Sequence, residues 1–217
     1  MSHRVLNRIP SQIITLILFS LLFFLPSLNH NVAGAEPAIT NDAPSSETSK
    51  PIILYYSRSG KTRIVANALV DQLSFEIEEI KSKTVRDGYL GVFTCVLDQL
   101  LDRDDQIEQP KKDIKGYNPV IIASPIWLGN VSSPARTFIK QEWMKGKEVY
   151  VFLTYNGRLS QEKEDIMRGW ITSQGVKLKG LYKIITKEKT EDEIKKEVGT
   201  QLGMTSLIKK KVISSLE

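Results

Sequence analysis

YYSRSGKT, residues 55–62, closes on the Gly-Lys-Thr that ends many nucleotide-binding loops. A short apolar run, Pro51-Ile52-Ile53-Leu54, precedes it, and the helix-like Arg63-Ile64-Val65-Ala66-Asn67-Ala68-Leu69-Val70 follows. Strand, loop and helix in that order leave backbone N–H groups and a helix N-terminus pointing at an anion. A Walker loop needs a further glycine five residues before Gly60, and Tyr55 stands there. ATP binding by that motif is excluded.

What remains is a pattern of hydroxyls, Ser57-x-Ser59-Gly60-x-Thr62. Each can donate to a phosphate oxygen, and Gly60 permits the tight turn that brings the N–H groups of Lys61 and Thr62 alongside. The same hydroxyls could serve only as an N-cap for the helix. A second site is needed to decide.

Outward from this loop the chain alternates strand-like and helix-like segments. Strands are expected at 51–57, 76–82 (near an edge), 120–124, 148–154 and 181–186. Helices are expected at 61–73, 89–101, 134–143, 160–173 and after Thr190, with Ser160 as an N-cap and Thr190-x-x-Glu193 as a capping box. The helix at 89–101 is expected to bury Leu90, Phe93, Leu97, Leu100 and Leu101, with Val96 near that stripe and Cys95 further round. Repeated βα units imply an α/β domain with a parallel sheet covered on both faces.

The N-terminus has a different composition. Arg4 and Arg8 precede the apolar run Ile13–Leu25, Pro26 breaks it, and Ala33-Gly34-Ala35 offers small residues before Glu36. Residues 1–35 therefore read as a signal peptide, with a run shorter than the roughly 20 residues that span a bilayer. Export is expected, or a membrane anchor if the segment is retained; no other contact with a membrane is. Residues 36–49, EPAITNDAPSSETS, form a flexible linker, and 50–217 is one domain.

The 217 residues carry 30 Lys plus Arg against 25 Asp plus Glu, an excess too mild and too scattered for a nucleic-acid-binding face. Cys95 is the only cysteine, which rules out an internal disulfide and any CxxC redox or zinc motif. His3 and His30, the only histidines, fall in the signal segment, so no general acid or base, no catalytic residue and no metal ligand stands out.

Ligands of open α/β sheets bind at the carboxyl ends of the strands. After the third strand comes Ser124-Pro125-Ile126-Trp127-Leu128-Gly129-Asn130, and after the fourth Thr154-Tyr155-Asn156-Gly157-Arg158. A phosphate cradle, an aromatic plate and a second aromatic turn suit a flat, phosphorylated ring with a polar edge.

With those loops together, the chain resembles the flavodoxin family over about residues 51–215. Ser57-Arg58-Ser59-Gly60-Lys61-Thr62 is similar to the family's FMN-phosphate loop, and residues 124–130 resemble the loop that runs along the isoalloxazine. The Arg86-x-Gly88 and Tyr89-Leu90-Gly91 region matches some bacterial members. The resemblance implies a flavodoxin-like three-layer sandwich with a five-stranded parallel sheet of order 2-1-3-4-5, noncovalent FMN, and a monomer. It assigns the phosphate to Ser57, Ser59 and Thr62 within the loop of Arg58, Gly60 and Lys61. Pro125, Ile126, Trp127, Leu128, Gly129 and Asn130 would flank the ring, and Thr154, Tyr155, Asn156 and Gly157 would close over its pyrimidine side. These loops carry Arg58, Lys61 and Arg158 and no acid, unlike the family's strongly acidic carriers.

Three functions fit: an electron carrier between redox partner proteins, an FMN-dependent reductase of a quinone-like acceptor, or a fold-bearing binding protein without catalysis. Export itself is checked by mass spectrometry of the mature N-terminus, expected near Glu36; an intact Met1 on membrane-embedded protein would show an anchor instead.

Overall fold

A computed structural model describes residues 49–84, 88–101 and 103–203. The proposed signal and nearly all of the linker lie outside them. Among the described residues no helix is long and apolar enough to cross a membrane, and no cluster of side chains could hold a metal ion.

Five parallel strands make the sheet: β1 (Ile52–Tyr55), β2 (Glu76–Glu79), β3 (Val120–Trp127), β5 (Glu148–Tyr155) and β6 (Lys177–Ile185). They lie side by side as β2-β1-β3-β5-β6, the order expected, while the two-residue β4 (Asn130–Val131) pairs antiparallel with the end of β3. Five helices connect them: α1 (Lys61–Leu73), α2 (Gly88–Leu100), α3 (Ser133–Ile139), α4 (Gln161–Ser173) and α5 (Glu191–Gly203).

The strand period of two sorts the apolar side chains into two cores. Ile53, Tyr55, Ile121, Ala123 and Phe152 pack on one face with Val65 and Leu69 of α1 and Ile194 and Val198 of α5. Ile52, Leu54, Val120, Ile122, Val151 and Leu153 face the other way, onto Phe138 and Ile139 of α3 and Met167 and Ile171 of α4. Strands buried on both faces read as continuous apolar runs, as IILY and VIIA do. The described residues form a three-layer α/β/α sandwich.

Several expected boundaries move. β3 continues through Pro125, Ile126 and Trp127, because β4 and β5 supply hydrogen-bonding partners there. β6 starts at Lys177, four residues early, since its pairing with β5 begins at Glu148. The helix expected over 134–143 stops at Ile139 and gives way to a 3-10 turn at Glu142–Met144. Ser160 caps α4, accepting from the Lys163 N–H, and Thr190 and Glu193 form the capping box of α5.

The face of α2 is a larger correction. Gly91 and Cys95 are buried, whereas Phe93 and Leu100 are 59% and 69% exposed. Val92 and Leu101 are exposed too, and the side chain of Leu90 lies outside the described ones. A stripe of small residues one turn apart lets a helix approach its support closely, and the bulky side chains are left on the far side. Apolar periodicity identified the helix but not the side it packs on.

One buried charge is fully answered. Glu164 of α4 is 5% exposed; it accepts from Lys183 Nζ at 2.5 Å and Arg168 Nη2 at 2.7 Å. Burial alone would raise its pKa, but the hydrogen bonds and charges of Lys183 and Arg168 outweigh burial and leave it below the ordinary 4.5. A carboxylate with a depressed folded pKa stabilises the fold above its unfolded pKa and loses that contribution as pH falls through the folded value. Urea denaturation across acidic pH should therefore show wild-type stability falling below about pH 4.5, with a smaller fall in Glu164→Gln. At neutral pH that variant should be about 1.5–3 kcal/mol less stable.

Candidate functional site

All five parallel strands run the same way, so the loops after β1, β3 and β5 emerge together at the carboxyl edge. Residues 57–60 lead from β1 into α1. Gly60 sits at φ 84°, a left-handed conformation that a side chain would strain, and as the N-cap it has no side chain to offer the first turn. The N–H groups of Lys61 and Thr62 are thus left without an N-cap side chain at the start of a 13-residue helix, where they attract an anion. The Ser57 hydroxyl accepts from the Arg63 N–H at 3.2 Å, which leaves its own proton to donate outward. Arg58 and Ser59 are exposed beside it.

Two residues of the expected phosphate loop are engaged elsewhere. Thr62 is 2% exposed, and its hydroxyl meets that of Thr154, 4% exposed, at 2.7 Å. The start of α1 and the end of β5 are thereby tied by a buried bond. Lys61 turns away: its ammonium donates to the Lys189 carbonyl at 2.9 Å, just before α5. Arg63 is also committed. Its guanidinium donates to Glu79 at 2.8 Å and to the Tyr55 hydroxyl at 3.3 Å, and these bonds raise its already high pKa.

On the β3 side, Ile126 and Trp127 pair with Val131 and Asn130 around a two-residue turn, Leu128-Gly129. Both turn residues have positive φ, 48° and 86°, the geometry that matches strand twist in a tight hairpin. Leu128 accepts this at roughly 1–2 kcal/mol, because its Cβ crowds the carbonyl. Asn130 Oδ1 accepts from the Val131 N–H at 2.8 Å and holds the turn. Trp127 lies edge-on to Tyr56 at 5.6 Å and 87°, which joins this hairpin to the phosphate loop. Pro125 is the register partner of Thr154 in β5. Beyond it Tyr155 is half-buried, Asn156 Oδ1 accepts from the Thr186 hydroxyl at 3.0 Å, and Gly157 and Arg158 are exposed.

The three loops expected from the sequence thus come to one edge. An apolar groove of about 220 Å³ lies between the hairpin and α2, lined by Val92, Cys95, Val96, Ile126, Trp127 and Leu128, with Arg58 at its wall. The sequence reading missed the contribution of α2 because its exposed side was expected to be core. It also missed Lys163, whose side chain lies across Gly129: a methyl group on Gly129 would sit 2.8 Å from Lys163 Cδ.

The Thr62–Thr154 bond gives a double-mutant test. Thr62→Val leaves the Thr154 hydroxyl buried without its partner and should cost about 1–3 kcal/mol in urea denaturation. Adding Thr154→Val removes both polar groups with little change of shape, so the double variant should be more stable than the sum of the single losses. Additive losses would show that the two hydroxyls are not coupled.

No protein-family model and no curated protein matches the sequence. Solved structures do. A flavoprotein from Lactobacillus acidophilus NCFM, crystallised in complex with FMN, is 26% identical, covering 62% of this chain and 93% of its own with a TM-score of 0.52. A chain from Bacteroides eggerthii DSM 20697 is 21% identical over 70% of this chain and 97% of its own, at a TM-score of 0.54. Another, from Bacteroides uniformis ATCC 8492, is 16% identical over 70% and 98%, at 0.56. The latter two speak for the fold. Strand order, the loops gathered at the carboxyl edge and these likenesses show that the chain has the flavodoxin-like fold.

Proposed function

We propose that the chain binds FMN noncovalently at the carboxyl edge and carries electrons between redox partners. The observation that carries this reading is the start of α1, which Gly60 leaves without an N-cap side chain, preceded by Ser57 and Ser59 in a loop whose Tyr56 packs against Trp127 of the hairpin. These residues fit the group. Neutral donors and a helix N-terminus suit a terminal phosphate, and Trp127 suits a flat ring. The FMN complex of the Lactobacillus acidophilus flavoprotein supports the same ligand.

When bound, FMN supplies the redox chemistry, while the protein supplies binding, orientation and electrostatics. Ser57 and Ser59 hold the phosphate with the N–H groups of the first turn. Thr62 acts one step back: its bond to Thr154 holds the first and third loops in register. Trp127 would flank the ring, and the backbone of Gly129 and Asn130 would lie along its edge. Thr154 to Gly157 would close the other side.

The exposed side of α2 supports the carrier reading. Val92 and Leu128, both exposed, line the groove with Trp127 and offer an apolar rim on which a partner protein can dock. The groove between α2 and the hairpin favours a second reading, an FMN-dependent reductase of quinone-like acceptors, since it would admit a small apolar ring. In either case the proposed export would put the protein's partners outside the cytoplasm.

Titration of the purified domain with FMN, followed by flavin fluorescence, tests the binding. FMN should bind and ATP should not. Ser59→Ala removes one donor to a charged phosphate, at roughly 1.5–3 kcal/mol, so it should weaken FMN about 10- to 100-fold and leave the fold intact. Tighter binding of ATP than of FMN would overturn the assignment. Stepwise transfer of electrons to a protein acceptor, against multiple turnovers with a soluble quinone, separates the two functions.

A further inference from the structure

The cations expected around the flavin from the sequence were Arg58, Lys61 and Arg158, and the structure changes that set. Lys61 is bound to the Lys189 carbonyl on the α5 side. Lys163 enters instead, from the first turn of α4. Its side chain crosses the hairpin turn so closely that a Cβ on Gly129 would lie 2.8 Å from its Cδ, 3.2 Å from its Cε and 3.1 Å from its Nζ. Gly129 needs to be glycine for its φ of 86°, and the lysine chain lies directly above it. Among the described residues Lys163 forms no ion pair. The acids near it on α4 are engaged or exposed: Glu164 holds Arg168 and Lys183, Asp165 accepts from Gln161, and Glu162 faces solvent.

We propose that Lys163 sets an unpaired positive charge against the Gly129–Asn130 edge of the flavin site and so favours reduced FMN, whose ring is anionic, over oxidised FMN, whose ring is neutral. The inference rests on the FMN reading above. A fixed charge distinguishes two redox states of a ligand only through the charge that differs between them. A cation at the ring edge thus tightens binding of the anion and barely touches the neutral ring. The ammonium stays partly in water, so the effect is screened by salt over about 10 Å at 0.1 M. A purely structural lysine would act on the turn and would move both affinities together.

The experiment compares wild type, Lys163→Arg and Lys163→Met. Dissociation constants for oxidised FMN come from fluorescence quenching of the apoprotein, and those for reduced FMN from the midpoint potentials of bound and free flavin. In 10 mM salt, Lys163→Met should lower the preference for reduced over oxidised FMN by about tenfold, which is about 30 mV for the two-electron couple. Its affinity for oxidised FMN and its thermal midpoint should be little changed. Lys163→Arg should keep the wild-type preference, and 1 M salt should shrink the difference. Equal preference in wild type and Lys163→Met at low salt, with FMN bound by both, would overturn the role of Lys163. Failure of the wild-type protein to bind FMN at all would overturn the FMN reading and this inference with it.

Discussion

Parallel strands end at the same edge, and a sheet buried on both faces leaves nowhere else for a ligand to reach the backbone. That constraint organises this protein. β1, β3 and β5 are neighbours in the sheet, so the segments that follow them meet although Ser57 and Thr154 are 97 positions apart. The meeting is made rigid by two contacts that ignore sequence distance: the buried hydroxyl bond of Thr62 with Thr154, and the edge-on packing of Trp127 against Tyr56. Both lie at the rim of the core, where a polar bond is shielded from water and worth more. A cradle of neutral hydroxyls can hold an anion only if its donors are already aimed.

The charge around the cradle is distributed by the same packing. Arg63, Lys61 and Glu79 sit near the phosphate loop in sequence or in space, yet each is tied to a partner: Arg63 and Glu79 to one another, and Lys61 to the Lys189 carbonyl. Among the described residues Arg58, Arg158 and Lys163 remain uncommitted, and they come from different elements. The resulting field is positive and local, and no acid of the three loops opposes it. Such a field favours an anion without any group that must change its protonation state.

Helix α2 shows stability yielding to surface. Its small residues, Gly91 and Cys95, face the fold, and Val92, Phe93 and Leu100 face out. Burying the large side chains instead would add about 1.5–3 kcal/mol each. An apolar rim beside Trp127 is left exposed, next to a hairpin whose Leu128 holds a left-handed conformation at a cost. Strain and exposed apolar surface at one edge are features that a fold tolerates where it meets other molecules.

Much of this could be read from residue order. The βα alternation, the two-faced apolar strands, the capping residues Ser160 and Thr190 and the glycine of the phosphate loop each follow from local chemistry, and local chemistry is written in adjacent residues. The resemblance of two short loops to those of the flavodoxins was enough to anticipate the strand order. Tertiary structure alone decided which atoms the loop residues spend their hydrogen bonds on. It turned Thr62 toward Thr154 and Lys61 toward Lys189, lengthened β3 through Trp127, brought Lys163 over Gly129 and reversed the face of α2. Each of those outcomes depends on partners many residues away, and periodicity records how a segment is shaped without recording what it will be packed against.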